Sequence, residues 1–239
     1  IMKVQEFIKT LGYGVLSNLG SVADEDTLEI KASAVPRIVH FINEGLLRLY
    51  NRFPLKVSTV FVELTENKTT YTITKEHFLT IEEYGEERHD YDKYLWGGYD
   101  TPEFKDDLLR IDEVFTHEGV RLPLNDYADM YSILTPKYNE IEVPTTFYGG
   151  ILSVVYRARH PVVTYEDNDV IDLPEPLFDA LANYIAYKLY SNINTETAVG
   201  NANKYFTEYS NIIDELIQSG VLNTDCTEAY AKFYQRGWY

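Results

Sequence analysis

The chain has 239 residues, 45% hydrophobic and 25% charged, the proportions of a folded globular protein, which excludes a disordered chain, a fibrous repeat and a disulfide scaffold. Lys and Arg total 21 against 38 Asp and Glu, a formal net charge of −17, and this argues against sequence-reading nucleic-acid binding, because affinity for phosphate comes from Lys and Arg. The chain also holds 21 tyrosines, a side chain favoured where one end is buried and the other wet, as in strands and at protein interfaces.

The first zone reads as helical. Val4, Phe7, Ile8 and Leu11 recur at helical spacing, and Gly12 with Gly14 marks the end of that short helix. After a polar stretch over residues 21–29, Ser33 is placed to cap a longer helix with Pro36 in its first turn. Ile38, Phe41, Ile42, Leu46, Leu49 and Tyr50 form its apolar stripe, and Pro54 stops it.

The second zone reads as β structure. Val57, Thr59 and Phe61 predict one strand, and Thr69, Tyr71 and Ile73 alternate as a second. Leu109, Ile111, Val114 and Phe115 predict a third, turning at Gly119 into residues 120–124. The β-branched run 151–156 follows Gly149 and Gly150, with 162–165 as its expected partner. Short strands separated by Pro, Gly, Asp and Asn predict a small sandwich or barrel. Inside this zone, residues 82–113 hold twelve acids and four bases, interleaved with Tyr84, Tyr91, Tyr94, Trp96 and Tyr99. They are expected to form a long exposed loop.

The third zone is helical again. Asp172, Pro174 and Pro176 make a start signal. Leu177, Leu181, Ile185, Leu189 and Ile193 follow at four-residue steps. A turn leads to a second stripe of Ala198, Ala202, Tyr205, Tyr209, Ile212 and Leu216, closed by Gly220. The two predict an antiparallel helical hairpin. The chain therefore reads as an α+β fold. Residues 1–54 and 173–220 supply a discontinuous helical bundle, and 55–172 an inserted antiparallel β sandwich or barrel-like module with an acidic aromatic loop at about 82–107. Residues 221–239 form a C-terminal docking tail.

Chemical motifs are sparse. His89, Asp90 and Asp92 beside Glu86 and Glu87 could ligate a hard cation, but a solvated acidic loop explains them better, with no second His and no calcium-loop spacing. No nucleophile elbow is present, the acidic neighbours of Cys226 disfavour a thiolate, and Gly12-Tyr13-Gly14 lacks the third glycine of a dinucleotide loop. A lone cysteine leaves no internal disulfide and no Cys-cluster zinc site. No enzyme activity and no cofactor are expected. No apolar run reaches the ~20 residues of a membrane span, and residues 1–7, with Lys3 and Glu6, are not expected to be a signal peptide. The tyrosine stripe of the hairpin, Tyr184, Tyr187, Tyr190, Tyr205 and Tyr209, reads as core alone or as core that also serves a subunit interface. Tyr230, Phe233, Tyr234, Trp238 and Tyr239 have little to pack against within their own segment, so they are read as docking onto another chain.

The stretch Ile171-Asp-Leu-Pro-Glu-Pro-Leu-Phe-Asp-Ala-Leu-Ala-Asn-Tyr-Ile-Ala-Tyr-Lys-Leu-Tyr190 resembles the C-terminal helices of tailed-phage head-to-tail adaptors, the gatekeeper or tail tubular protein A-like family. Asn201, Ala202, Tyr205, Phe206 and Tyr209 match the spacing of its second helix. Ile42-Asn-Glu-Gly-Leu-Leu-Arg-Leu-Tyr-Asn-Arg-Phe-Pro-Leu-Lys56 is similar to its Ile-Asn-Glu helix. The two stretches cover about 40 to 60 residues; 82–113 have no counterpart. The resemblance implies a structural virion protein, made in the host cytoplasm and placed at the head–tail junction. Its homo-oligomeric ring, a dodecamer, would sit below the portal protein, meet the tail tube or nozzle protein, and pass DNA without binding its sequence. The hairpin tyrosines would meet neighbouring subunits and the tail from Tyr230 to Tyr239 the portal. The alternative is a glycan-binding, or glycan-cleaving, virion tail protein that uses the acidic aromatic loop around Trp96.

Overall fold

The computed structural model describes residues 1–24, 26–79, 92–97, 104–145, 147, 150–220 and 222. The fold is α+β, and its chain divides into two compact units, Ile1–Leu55 with His160–Tyr239 and Lys56–Arg159.

The helical unit begins with a two-residue strand β1 (Met2–Lys3) and helix α1 (Val4–Tyr13). Val4, Phe7, Ile8 and Leu11 are buried, as their spacing requires. Gly12 is there for a different reason. A Cβ at this position would stand 2.4 Å from the Leu28 carbonyl oxygen, so the following loop can cross α1 only at glycine. Helix α2 (Val35–Arg52) starts without the expected serine cap. Ala34 occupies the capping position, no side chain caps the helix, and Pro36 removes one donor that would have had no partner. Burial of Ile38, Phe41, Ile42, Leu46, Leu49 and Tyr50 stabilises the helix instead.

The C-terminal helices are α3 (Glu175–Tyr190) and α4 (Glu196–Ser219). The Thr195 hydroxyl caps α4 by accepting from the Ala198 amide at 3.2 Å, and Gly220 ends it at φ 65°. Helices α2 and α3 pack closely because Gly45 has no side chain. A Cβ there would meet Leu181 at 2.5 Å and Tyr184 at 3.0 Å.

Residues 160–172 do not pair with the 151–156 run, because that strand already has a partner on each edge. They lie instead on the helical unit. Asn43 donates to the Val163 carbonyl at 2.8 Å and accepts its amide at 2.9 Å. Strand β10 (Val170–Ile171) pairs with β1. The Tyr50 hydroxyl donates to the Asp172 carbonyl at 2.5 Å, and the Asp172 amide donates to His160 Nε2 at 3.0 Å. Burial, with the Asp172 charge added, pushes the Tyr50 phenol up to about 12.

The β unit holds β2 (Val57–Glu63), β3 (Thr70–Thr72), β4 (Leu95–Trp96), β5 (Leu108–Thr116), β6 (Arg121–Leu122), β7 (Leu134–Lys137), β8 (Glu140–Glu142) and β9 (Ile151–Ala158). Five strands form an antiparallel sheet in the order β4-β2-β9-β5-β6, and β3-β8-β7 form a second. Their facing sides share one core, with Val60, Val62, Ile111, Val114, Leu152, Val154 and Tyr156 from the first sheet and Tyr71 and Ile141 from the second. Among the described residues the sheets make an open sandwich and no closed barrel. On β9 every second residue is buried, and Val60 opposes Val154 while Val62 opposes Leu152. The alternation fails on β5 because a register shift between Ile111 and Glu113 re-aims the chain.

The acidic segment is only partly the exposed loop its composition suggests. Tyr94, Leu95 and Phe104 are buried, and β4 supplies the edge of the large sheet by pairing Trp96 with Phe61. Residues 82–91 and 98–103 lie outside the described residues.

Candidate assembly surfaces

The five hairpin tyrosines meet one another first. Tyr190 stacks on Tyr205 with ring centres 5.5 Å apart, Tyr184 meets Tyr209 at 5.5 Å, and Tyr187 meets Phe206 at 5.1 Å. Each of these pairs joins α3 to α4, because residues three or four apart on a helix share a face. Tyr184 and Tyr190 are buried, while Tyr187, Tyr205 and Tyr209 are half-buried. The Tyr205 hydroxyl donates to the Val15 carbonyl at 3.1 Å, which ties α4 to the N-terminal part of the same unit.

Charge is concentrated at the α2–α3 contact. The Lys188 ammonium donates to Glu44 at 2.8 Å, and the Arg48 guanidinium lies 5.3 Å from the Tyr184 ring centre. Burial alone would raise the Glu44 carboxyl. The Lys188 ammonium and the Tyr184 hydroxyl outweigh it and hold the carboxyl below the usual carboxylate range. Burial, then the same carboxylate, raises the Tyr184 phenol.

Outside this core, α4 carries apolar side chains that its own unit does not cover. Val199 is 53% exposed and Phe206 48% exposed, with Ile217 beyond them. Separations of seven and eleven residues put the three on one line of the helix. A second set of exposed apolar side chains, Tyr127, Met130 and Tyr131, stands on the β unit. Sequence patterning missed it, because these residues belong to no periodic stripe; their signal was aromatic residues inside an Asp- and Asn-rich turn.

The remaining candidates carry less. One face of Trp96 is stacked on Phe61 at 4.7 Å. Among the described residues no group of three His, Cys, Asp or Glu stands together as a metal site. The Asp92 carbonyl accepts from His77 Nδ1 at 2.8 Å, while Glu86, Glu87, His89 and Asp90 lie outside the described residues. So do Cys226 and the tail aromatics Tyr230, Phe233, Tyr234, Trp238 and Tyr239. No described helix is long and apolar enough to cross a membrane.

Residues 15–225 match the SU10 adaptor protein family. The chain belongs to this family. It is thus a phage structural adaptor protein, a component of the virion that works through contact with other virion proteins. The match spans both units of the adaptor, so α2, the whole β unit and the α3–α4 hairpin all fall within the family pattern. No curated protein matches the adaptor's sequence.

Proposed function

We propose that the adaptor is a subunit of a gatekeeper or tail tubular protein A-like ring, a dodecamer at the head–tail junction. The ring joins the portal protein to the tail tube or nozzle protein and leaves a passage for DNA. The observation that carries this reading is the family match over 15–225. It is supported by the uncovered line of Val199, Phe206 and Ile217 on α4. Large apolar side chains left uncovered along one side of a helix suit an interaction surface. In a closed ring each copy presents one face to the next. Tyr187, Tyr205 and Tyr209, half-buried beside that line, extend the subunit interface, and Tyr184 and Tyr190 hold the hairpin in shape beneath it. Residues 221–239, through Tyr230, Phe233, Tyr234, Trp238 and Tyr239, dock on the portal. A net charge of −17 suits a wall that DNA slides past.

The test is to mix the full chain with purified portal protein of the same phage and read assembly by sedimentation and electron microscopy. A portal-capped ring is expected. Phe206→Glu should prevent ring closure with the subunit still folded, and deletion of 221–239 should abolish portal binding. In virions, label should appear at the single portal vertex after tail stripping. Label on fibres or spikes, or portal binding unaffected by the deletion, would overturn the reading.

A further inference from the structure

Residues 123–133 leave the β unit and return through a closed neck. Leu124 bridges to Ile133, the Asn125 amide donates to the Ile133 carbonyl at 2.9 Å, and the Ile133 amide donates to the Pro123 carbonyl at 2.9 Å. The Asn125 side chain locks the base. Its Nδ2 donates to Thr135 Oγ1 at 2.9 Å and its Oδ1 accepts the Thr135 amide at 2.9 Å. Asn125 itself has φ 56°, a left-handed conformation that asparagine tolerates better than most residues. Ser132 Oγ accepts from the Asp126 amide at 2.9 Å and donates to the Pro123 carbonyl at 3.2 Å. Two Asx turns shape the tip, with Asp126 Oδ1 accepting from Ala128 at 3.0 Å and Asp129 Oδ1 from Tyr131 at 2.8 Å.

This scaffold is compact, as in loops whose ends meet and whose own side chains pack them. It spends its hydrogen bonds on the neck and turns and sets its large apolar groups outside. Tyr127 is 88% exposed and Met130 64% exposed, and Tyr131 beside them makes an edge contact with Phe147 at 6.1 Å. A loop already held in one shape loses little conformational entropy on binding, and tyrosine is among the residues that dominate interface energetics.

We propose that this loop is a preformed knob through which the adaptor grips a different virion protein. Tyr127 and Met130 enter an apolar recess rimmed by Lys or Arg. The partner's charge follows from the knob's. Residues 122–136 contain Asp126 and Asp129 and no Lys or Arg. The nearest bases in sequence are already engaged, Arg121 with Glu113 at 3.0 Å and Lys137 with Glu140 at 2.7 Å. Nucleic acid and anionic lipid are repelled by such a tip. The flexible thioether of Met130 suits an apolar recess better than a sugar face. The proposal rests on the adaptor's place in the virion.

The experiment is site-directed photocross-linking in intact virions, with p-benzoylphenylalanine in place of Tyr127 and, as control, in place of Glu118. The expected product joins the adaptor to one other virion protein, at an apolar peptide with Lys or Arg within a few residues, from position 127 only. In a second arm, the double variant Tyr127→Ala/Met130→Ala should retain adaptor in purified particles and lower retention of the cross-linked protein at least tenfold. A product with a second adaptor copy, with lipid or with DNA, or no product, would overturn the knob and leave the adaptor reading standing. Particles that lack the chain altogether would overturn both.

Discussion

The α3–α4 hairpin and the 123–133 loop treat the same side chain in opposite ways. The hairpin turns its tyrosines towards one another, with Tyr184, Tyr190, Tyr205 and Tyr209 meeting across α3 and α4, whereas the loop sets Tyr127 and Tyr131 on the outside of its hydrogen bonds. Abundance of tyrosine therefore says little by itself. What separates the two cases is the local chemistry. A tyrosine on a helical stripe has a partner of fixed spacing on the facing helix. Tyr127 follows Asp126 in a turn whose hydrogen bonds engage the backbone, and its ring is left 88% exposed.

The contrast can be broken most forcefully at Tyr184. Its ring is buried against Tyr209, Tyr187 and Arg48, so Tyr184→Ala should cost about 3–5 kcal/mol, as large aromatic truncations do. Urea unfolding followed by circular dichroism checks the value, and a loss under about 1 kcal/mol would show that the hairpin does not depend on its inner tyrosines. Gly45→Ala approaches the same cluster from the α2 side. The new methyl would collide with Leu181 and Tyr184, and overpacking of this kind costs about 1–3 kcal/mol. The thermal midpoint should fall although alanine is the better helix former.

A smaller effect is expected from pH. The Glu44 carboxyl is held below its ordinary value of 4.5 in the folded chain. Its contribution is thus complete above 4.5 and lost as the pH falls through the lower folded value, because the unfolded chain takes up the proton first. The exchanged pair with Lys188 is worth about 1 kcal/mol. Glu44→Gln should flatten the acid limb of a stability-against-pH curve and leave the neutral region lower by about that amount; an unchanged acid limb would remove Glu44 from the account. The smallest effect is assigned to the knob. Tyr127→Ala should change unfolding free energy by less than about 0.5 kcal/mol, as surface substitutions do. A larger loss would mean that the ring packs within the unit, and the contrast between the two tyrosine sets would fail.

Much of the helical unit was legible because its stripes repeat. The spacing of Ile38 to Tyr50, the start at Pro174 and the stop at Gly220 carry their own reasons. The strands at Val57, Thr70 and Ile151 were legible from β-branched alternation. What the sequence concealed depends on the third dimension. Nothing in Ile42-Asn-Glu-Gly marks Gly45 as the point where two helices touch, and nothing in the acidic run around Trp96 marks Tyr94 and Leu95 as core. A capping serine looked available at Ser33, but the helix begins a residue later at Ala34 and is held by burial. The 162–165 run looked like the mate of β9 until both of its edges were seen to be taken by β2 and β5. For assembly, Phe206 and Ile217 flank the α4 stripe in the sequence, whereas Val199 and the knob have no period for a pattern to find.

The pairing of Val57 with Arg157 has a consequence of another kind. The polypeptide enters and leaves the β unit through neighbouring strands, at Lys56 and Arg159, and paired strands lie only about 5 Å apart. Everything between those residues is in effect a cassette with a single narrow doorway. A recombination event that replaced it would hand the helical unit the same two chain ends at the same separation. A chain that exchanged this cassette whole would keep the helical frame intact.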